Sequence, residues 1–251
     1  MSRIELIGLE GLGEVRKGDS IGRLITEACS RLNLSLQEED ILVVAHKIVS
    51  KAEGRIAFLG EIQPSARAKR LSRELGKDPG VLEIILRESR RIIRKGRGTI
   101  IVETHHGFIC ANAGVDLSNV GLDRIALLPQ DPDRSAGEIR KEIRQHTGKA
   151  PAVIISDSFG RPWRLGTVDV ALGVSGLSPL EDYRGINDRY GYELKASVTA
   201  VADEMASAAE LMMGKKGFIP VIIIRGYTKK GETGTAQELL RPESKDLFRN
   251  L

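Results

Sequence analysis

Aromatic residues are scarce in this chain of 251 residues, at 4%. Five Phe, four Tyr and one Trp supply little material for base-stacking platforms, which argues against a single-stranded nucleic-acid binder. Cysteine is scarcer still. Cys29 and Cys110 are too few for a disulfide framework and wrongly spaced for zinc, so both are read as reduced, buried thiols. Apolar runs such as Val221 to Ile224 fall far short of the ~18 residues of a membrane span, and the start, Met1 to Glu5, has no apolar signal-peptide core. A cytoplasmic protein with no membrane partner is therefore expected. The chain also lacks a GxxxxGKS or GxxxxGKT string, which disfavours a P-loop nucleotide site.

What is present is ordinary globular material, 41% hydrophobic and 29% charged. The length fits one large domain or two small lobes. The net charge of +4 is unevenly spread: Arg67 to Arg97 holds 11 basic and 4 acidic residues, a net of +7, which leaves −3 on the remainder.

Four short β-branched runs read as strands: Ile41 to Val44, Thr99 to Val102, Ala152 to Ile155 and Val221 to Ile224. Helical patterns lie between them. Asp19 is expected to cap a helix carrying Ile21, Leu24, Ile25, Ala28 and Leu32, and Ser135 with Glu138 reads as a capping box ahead of Ile139 and Ile143. Pro64 is expected to open a basic helix through Leu75, continued by Val81 to Lys95 with Leu82, Ile85 and Ile92 facing inward. A long helix from about Ala196 to Met213 is expected to bury a stripe of Val201, Met205, Ala208 and Met212. Helices pair up and Phe159 to Asn187 reads as a long loop, so the class is α+β rather than a regular βαβ winding.

Two acids stand out beside strand-like runs. Asp157, followed by Ser158, ends the third run, and Asp116 follows the small residues Asn112 and Gly114. A hard cation such as Mg²⁺ takes one or two carboxylates and fills its remaining positions with water or phosphate oxygens. The same residues are also ordinary turn formers. Lys47 and Lys51 are read either as phosphate-neutralising cations or as solvated surface. The stretch Gly214-Lys215-Lys216-Gly217 is a phosphate loop or a plain helix terminus. His105 and His106, adjacent in an expected strand, would point to opposite faces and share no metal. The glycine-rich Gly8 to Gly13 lacks dinucleotide spacing.

Taken together, HKIVSKAEGRI (His46 to Ile56), HGFICANAGVDLSNV (His106 to Val120), LLPQDPDRSA (Leu127 to Ala136), VIISDSFGRPWRLG (Val153 to Gly166), DYRGINDRYGYEL (Asp182 to Leu194) and VADEMASAAELMMGK (Val201 to Lys215) resemble the coenzyme F420-0:L-glutamate ligase family. The resemblance runs from the LEGLG start to Arg225-Gly226. It implies an α+β, two-lobed single module over residues 1–251, forming an intertwined homodimer, with no nitroreductase-like domain after it. The implied reaction joins L-glutamate to the terminal carboxylate of the deazaflavin coenzyme F420-0, using GTP and Mg²⁺ or Mn²⁺, with K⁺ as a further cation.

By the same resemblance Asp116 and Asp157 match metal-binding acids, and Ser158 matches the hydroxyl at a second metal. Glu10, Gly11, Leu12, Gly13, His46, Lys47, Lys51, Asn119 and the Gly214 to Pro220 loop, with Lys215, Lys216 and Gly217, match nucleotide-contacting segments. Lys51 is assigned to phosphate electrostatics alongside the two acids, and Arg161 or Arg164 to a substrate phosphate or carboxylate. Lys215 stands where some archaeal members carry an acid, which bears on the second metal. The other readings are a related ligase for a different phosphorylated acid, and a basic nucleic-acid binder using Arg67 to Arg97.

Overall fold

The computed structural model describes residues 3–96, 98–214, 217–228 and 233–248. The first half runs β1 (Glu5–Gly8), α1 (Ile21–Arg31), β2 (Ile41–Ala45), α2 (His46–Glu53), β3 (Ile56–Phe58), α3 (Ala66–Leu75), α4 (Pro79–Arg87), β4 (Ser89–Gly96), β5 (Thr99–Thr104) and β6 (Ile109–Ala111). The second half runs β7 (Arg124–Ala126), α5 (Pro132–Thr147), β8 (Ala152–Arg161), β9 (Arg164–Ser175), β10 (Glu181–Asp182), β11 (Val198–Thr199), α6 (Val201–Met213) and β12 (Val221–Arg225). All four β-branched runs are strands, and the class is α+β as expected.

The main sheet has the order β1-β12-β2-β8-β9. Only β2 and β8 are parallel; every other neighbouring pair in it is antiparallel. Alternate residues of its central strands feed opposite faces. Leu42, Val44, Val153, Ile155, Val221 and Ile223 pack against α1 and α5. Ile41, Val43, Ala152, Ile154, Ile222 and Ile224 pack against α6. A central strand covered on both faces has no polar side, which is why these runs are continuously apolar rather than alternating. Gly173 marks how closely α5 approaches β9: a Cβ there would lie 2.2 Å from the Pro132 carbonyl oxygen.

A second cluster joins α3, α4 and the β4-β5-β6 sheet through Leu71, Leu82, Ile85, Ile100 and Val102. The β3–β7 pair packs beside it through Ile125 and Ile84.

Several local expectations are corrected. Ser20, not Asp19, caps α1 by accepting from the Arg23 amide. Helix α3 begins at Ala66 under a Ser65 cap rather than at Pro64. Arg90 to Lys95 belong to strand β4, because α4 stops at Arg87 and the β-branched Ile92 pairs with Val102 of β5, Ile93 forming a bulge beside it. Helix α5 starts at Pro132 with Asp131 as its cap, so Ser135 lies one turn inside. Helix α6 starts at Val201 after the short β11, and its buried stripe is Val201, Ala202, Met205, Ala206, Ala209 and Met213 rather than Ala208 and Met212. The expected loop from Phe159 is instead a long β8–β9 hairpin through Ser175, whose tight turn holds Trp163 at φ 59°. His105 and His106 lie in the turn after β5, not in a strand.

Candidate functional site

Strands β2 and β8 run parallel, so their C-terminal ends point the same way, and a cleft opens there, where ligands commonly sit in sheets with parallel strands. The cleft holds about 600 Å³. Its walls come from the start of α2, the segment after β6, the β8–β9 hairpin, the end of α6 and the loop before β12.

Helix α2 begins directly after β2, and its N-cap residue, Ala45, contributes no side-chain cap. The opening turn, His46 to Ile48, lines the cleft, and the N-cap offers its amides no side-chain acceptor, the arrangement that favours an anion. Lys47 and Lys51, one turn apart on this helix, both line the cleft. Lys47 Nζ lies 2.7 Å from Asp116 Oδ2 and donates to Ser118 Oγ at 2.7 Å. Lys51 Nζ reaches Glu14 Oε1 at 2.7 Å.

Asp116 follows a turn of left-handed residues, Asn112 (φ 55°), Ala113 (φ 58°) and Gly114 (φ 67°). Only glycine fits the last: a Cβ on Gly114 would sit 2.6 Å from the Leu128 side chain. An isolated bridge to Ala126 then fixes Asp116. Burial pushes its carboxyl upward, but the Lys47 ammonium and the Ser118 amide at 2.7 Å outweigh that and hold it below the usual range.

Asp157 does not end its strand as expected; it lies within β8, opposite Val170 of β9. Its Oδ1 accepts from the Ser158 amide at 2.7 Å and lies 3.2 Å from His46 Nε2, although the ring nitrogen makes no hydrogen bond of good geometry. On its other side the buried His46 ring has Nδ1 3.4 Å from Ser50 Oγ, which itself donates to the Leu127 carbonyl at 2.6 Å. Ser158 faces the other way and donates to Asp169 of β9 at 2.6 Å. Cys110 is pushed up to about 12, by burial first and then by the charge of Asp157, so it is a neutral thiol and no nucleophile.

The cleft thus gathers Gly13, His46, Lys47, Lys51, Asp116, Asn119, Asp157, Ser158 and Gly214 from the expected set. Glu10, Gly11, Leu12 and Gly217 are not among its lining residues; Leu12 is buried in the core beside α1. Lys215 and Lys216 lie outside the described residues. Arg161 and Arg164 sit exposed at the hairpin tip, away from the cleft walls. Sequence reasoning missed Asp169, Ser156 and Glu14 as site residues, all of which line it. Only the alternation of Thr167, Asp169 and Ala171 could have flagged Asp169, once β9 was recognised as a strand.

Among the described residues that line the cleft, the carboxylates and the hydroxyl fit a hard cation. No group of three or more His, Cys, Asp and Glu side chains converges among the described residues. Carboxylates from two walls of one cleft suit Mg²⁺ or Mn²⁺, which keep waters and share phosphate oxygens. The buried, unpaired His46 Nε2 beside Asp157 marks the same spot as a place for an electropositive guest.

The sequence profile of the family described as F420-0:gamma-glutamyl ligase matches residues 11–226. The coenzyme F420:L-glutamate ligase of Methanothermobacter thermautotrophicus is 49% identical over 98% of this chain and 99% of its own. That of Methanocaldococcus jannaschii is 45% identical over 99% and 98%, and that of Archaeoglobus fulgidus is 39% identical over 98% and 97%. Identity of this extent across both chains makes the chain a member of the F420-0:gamma-glutamyl ligase family.

Proposed function

We propose that this chain joins L-glutamate to the terminal carboxylate of coenzyme F420-0, and further glutamates to the product, with GTP as the phosphoryl donor. The observation that carries the reading is the convergence of Asp116, Asp157, Lys47 and Lys51 with the uncapped start of α2 in one cleft. Carboxylates that hold a cation and cations that hold a phosphate are needed together only when a charged phosphoryl group is handled.

A carboxylate is a poor acyl donor, so the acceptor's carboxylate oxygen attacks the γ-phosphorus of GTP, the bond to the bridging oxygen breaks, and GDP leaves with that electron pair. The glutamate amine then attacks the acyl carbon. Phosphate departs with the carbon–oxygen bonding pair, and the nitrogen gives up a proton to leave the amide. Lys47 and Lys51 offset charge on the phosphates, and the α2 amides orient them. For Lys47 to turn to a phosphate it must release Asp116, which couples phosphate binding to freeing a carboxylate for the cation. A Mg²⁺ or Mn²⁺ ion held by Asp116 and Asp157, with Ser158 at a second metal, would polarise the phosphoryl oxygens. K⁺ is a further cation of the reading, with no residue assigned to it.

The reading includes a single ligase module acting as a homodimer. The exposed Trp163 and Leu165 at the hairpin tip are apolar surface of the kind a second copy would cover. Sedimentation tests this: a monomer at micromolar concentration removes it. The nucleic-acid reading loses support because Arg87, Arg90, Arg91 and Lys95 of the basic stretch are paired with Glu83, Glu103 and Glu74. GDP release that requires glutamate, the deazaflavin acceptor and a divalent cation together is the expected result. GDP formation indifferent to the acceptor would remove the ligase assignment. Mass spectra of products from other phosphorylated acids separate it from a related ligase.

A further inference from the structure

His46 opens α2 on the cleft wall and is 2% exposed, yet its buried Nε2 has no hydrogen-bond partner. The other ring nitrogen is held. Ser50, one turn on and fully buried, must give its proton to the Leu127 carbonyl at 2.6 Å, because a carbonyl oxygen only accepts. The Ser50 oxygen can then serve His46 Nδ1, 3.4 Å away, only as an acceptor, so the ring proton sits on Nδ1. Nε2 is left with a lone pair. It lies 3.2 Å from Asp157 Oδ1, which is an acceptor as well. Two acceptors held that close and away from water repel each other, and the arrangement is relieved by an electropositive guest that both can reach.

We propose that His46 Nε2 is a ligand of the divalent cation, sharing it with Asp157. The inference rests on the proposed cation site at Asp157 and adds a nitrogen donor to it. Neighbouring ligands of an octahedral ion stand about 3.0 Å apart when each is about 2.1 Å from it, so the 3.2 Å separation suits a pair that grips one ion. A metal-binding histidine generally donates its other ring N–H to a fixed acceptor, which sets the tautomer and the orientation of the ring. Ser50 is that acceptor here, and the Leu127 carbonyl fixes Ser50 in turn. Both contacts stand without the ion, so the ligand is preformed. Water and phosphate oxygens fill the positions that the protein leaves open. His46 is also the first residue of α2, so the residue that holds the cation opens the helix turn proposed to orient the phosphates.

The test is pulsed electron paramagnetic resonance of Mn²⁺ bound to the purified protein with saturating GDP, read for spin-echo modulation by a coordinated nitrogen. Wild-type protein, the same protein labelled with ¹⁵N-histidine, and His46→Gln are compared. The label separates a histidine nitrogen from those of guanine. Expected are ¹⁴N modulation in the unlabelled protein, its replacement by the ¹⁵N pattern in the labelled one, and its loss in His46→Gln. Mn²⁺ bound with no nitrogen modulation overturns the inference, and so does modulation that the label leaves unchanged or that persists in His46→Gln. If the variant does not fold, the labelled wild type decides alone, because His105, His106 and His146 are not among the cleft-lining residues. A wild-type protein that holds no Mn²⁺ overturns the cation site and this inference with it, a failure distinct from Mn²⁺ held without nitrogen.

Discussion

Burial alone would raise the carboxyl of Asp116, and it is the Lys47 ammonium with the Ser118 amide that turns the balance downward. A carboxyl whose folded value is depressed contributes stability that is present above its unfolded value, near 3.9, and is lost as pH falls through the lower folded value. Lys47→Met should therefore destabilise the fold by about 1 kcal/mol or less at pH 7, since the pair is partly open to water. The gap to wild type should narrow as pH falls from about 4 through the depressed folded value. Urea unfolding of both proteins at a series of falling pH values measures it, and a gap that does not narrow with acid would contradict the pairing. The thiols make a second prediction at this scale. Cys29 is pushed up to about 11 by burial and by Asp40, and Cys110 to about 12, so neither should be alkylated by iodoacetamide in the folded protein at pH 8. Labelling detected by mass spectrometry before unfolding would show that one of them opens to solvent.

At the scale of elements, helix starts were the least legible feature. The Ser135 and Glu138 spacing matches a capping box, yet Asp131-Pro132 outcompetes it: Asp131 accepts from the Arg134 amide at 3.0 Å, and Pro132 sits where its missing donor costs nothing. Ser135 instead donates to Glu53 and to the Asp131 carbonyl. Asp131→Ala should cost about 1 kcal/mol of stability, whereas Glu138→Ala should cost only a few tenths, because it makes an exposed pair with Lys141. Chemical denaturation distinguishes the two caps. A costlier contact ties β12 to the loop ahead of β2, where Arg225 makes two hydrogen bonds, at 2.8 and 2.7 Å, to the buried Asp40. Arg225→Met strands that carboxylate and should cost about 3 kcal/mol or more. Adding Asp40→Asn should recover part of the loss, because an amide tolerates burial better than an unpaired charge.

For the molecule as a whole, the central strands were legible because burial on both faces demands unbroken apolar runs, and no other pattern in the chain competes with them. The β8–β9 hairpin was not legible, since Asp157, Ser158, Asp169 and the glycines that shape the cleft break the alternation that marks a strand. The residues that disguise the hairpin are the ones that make the site, and the whole fold should respond to what they hold. A ligand that binds only the folded state stabilises it by about 2.7 kcal/mol at a hundredfold excess over its Kd. For a chain of this length each kcal/mol is worth about 2–4 °C, so GDP with Mn²⁺ should raise Tm by roughly 5–10 °C. Asp157→Asn removes a proposed cation ligand without emptying the core, so its Tm without ligand should stay near that of wild type while most of the Mn²⁺-dependent rise disappears. A wild-type rise that needs GDP alone, or an Asp157→Asn protein that keeps the full Mn²⁺ increment, would move the cation away from β8. A variant that loses Tm before any ligand is added would instead show that Asp157 is part of the scaffold, held by the Ser158 amide.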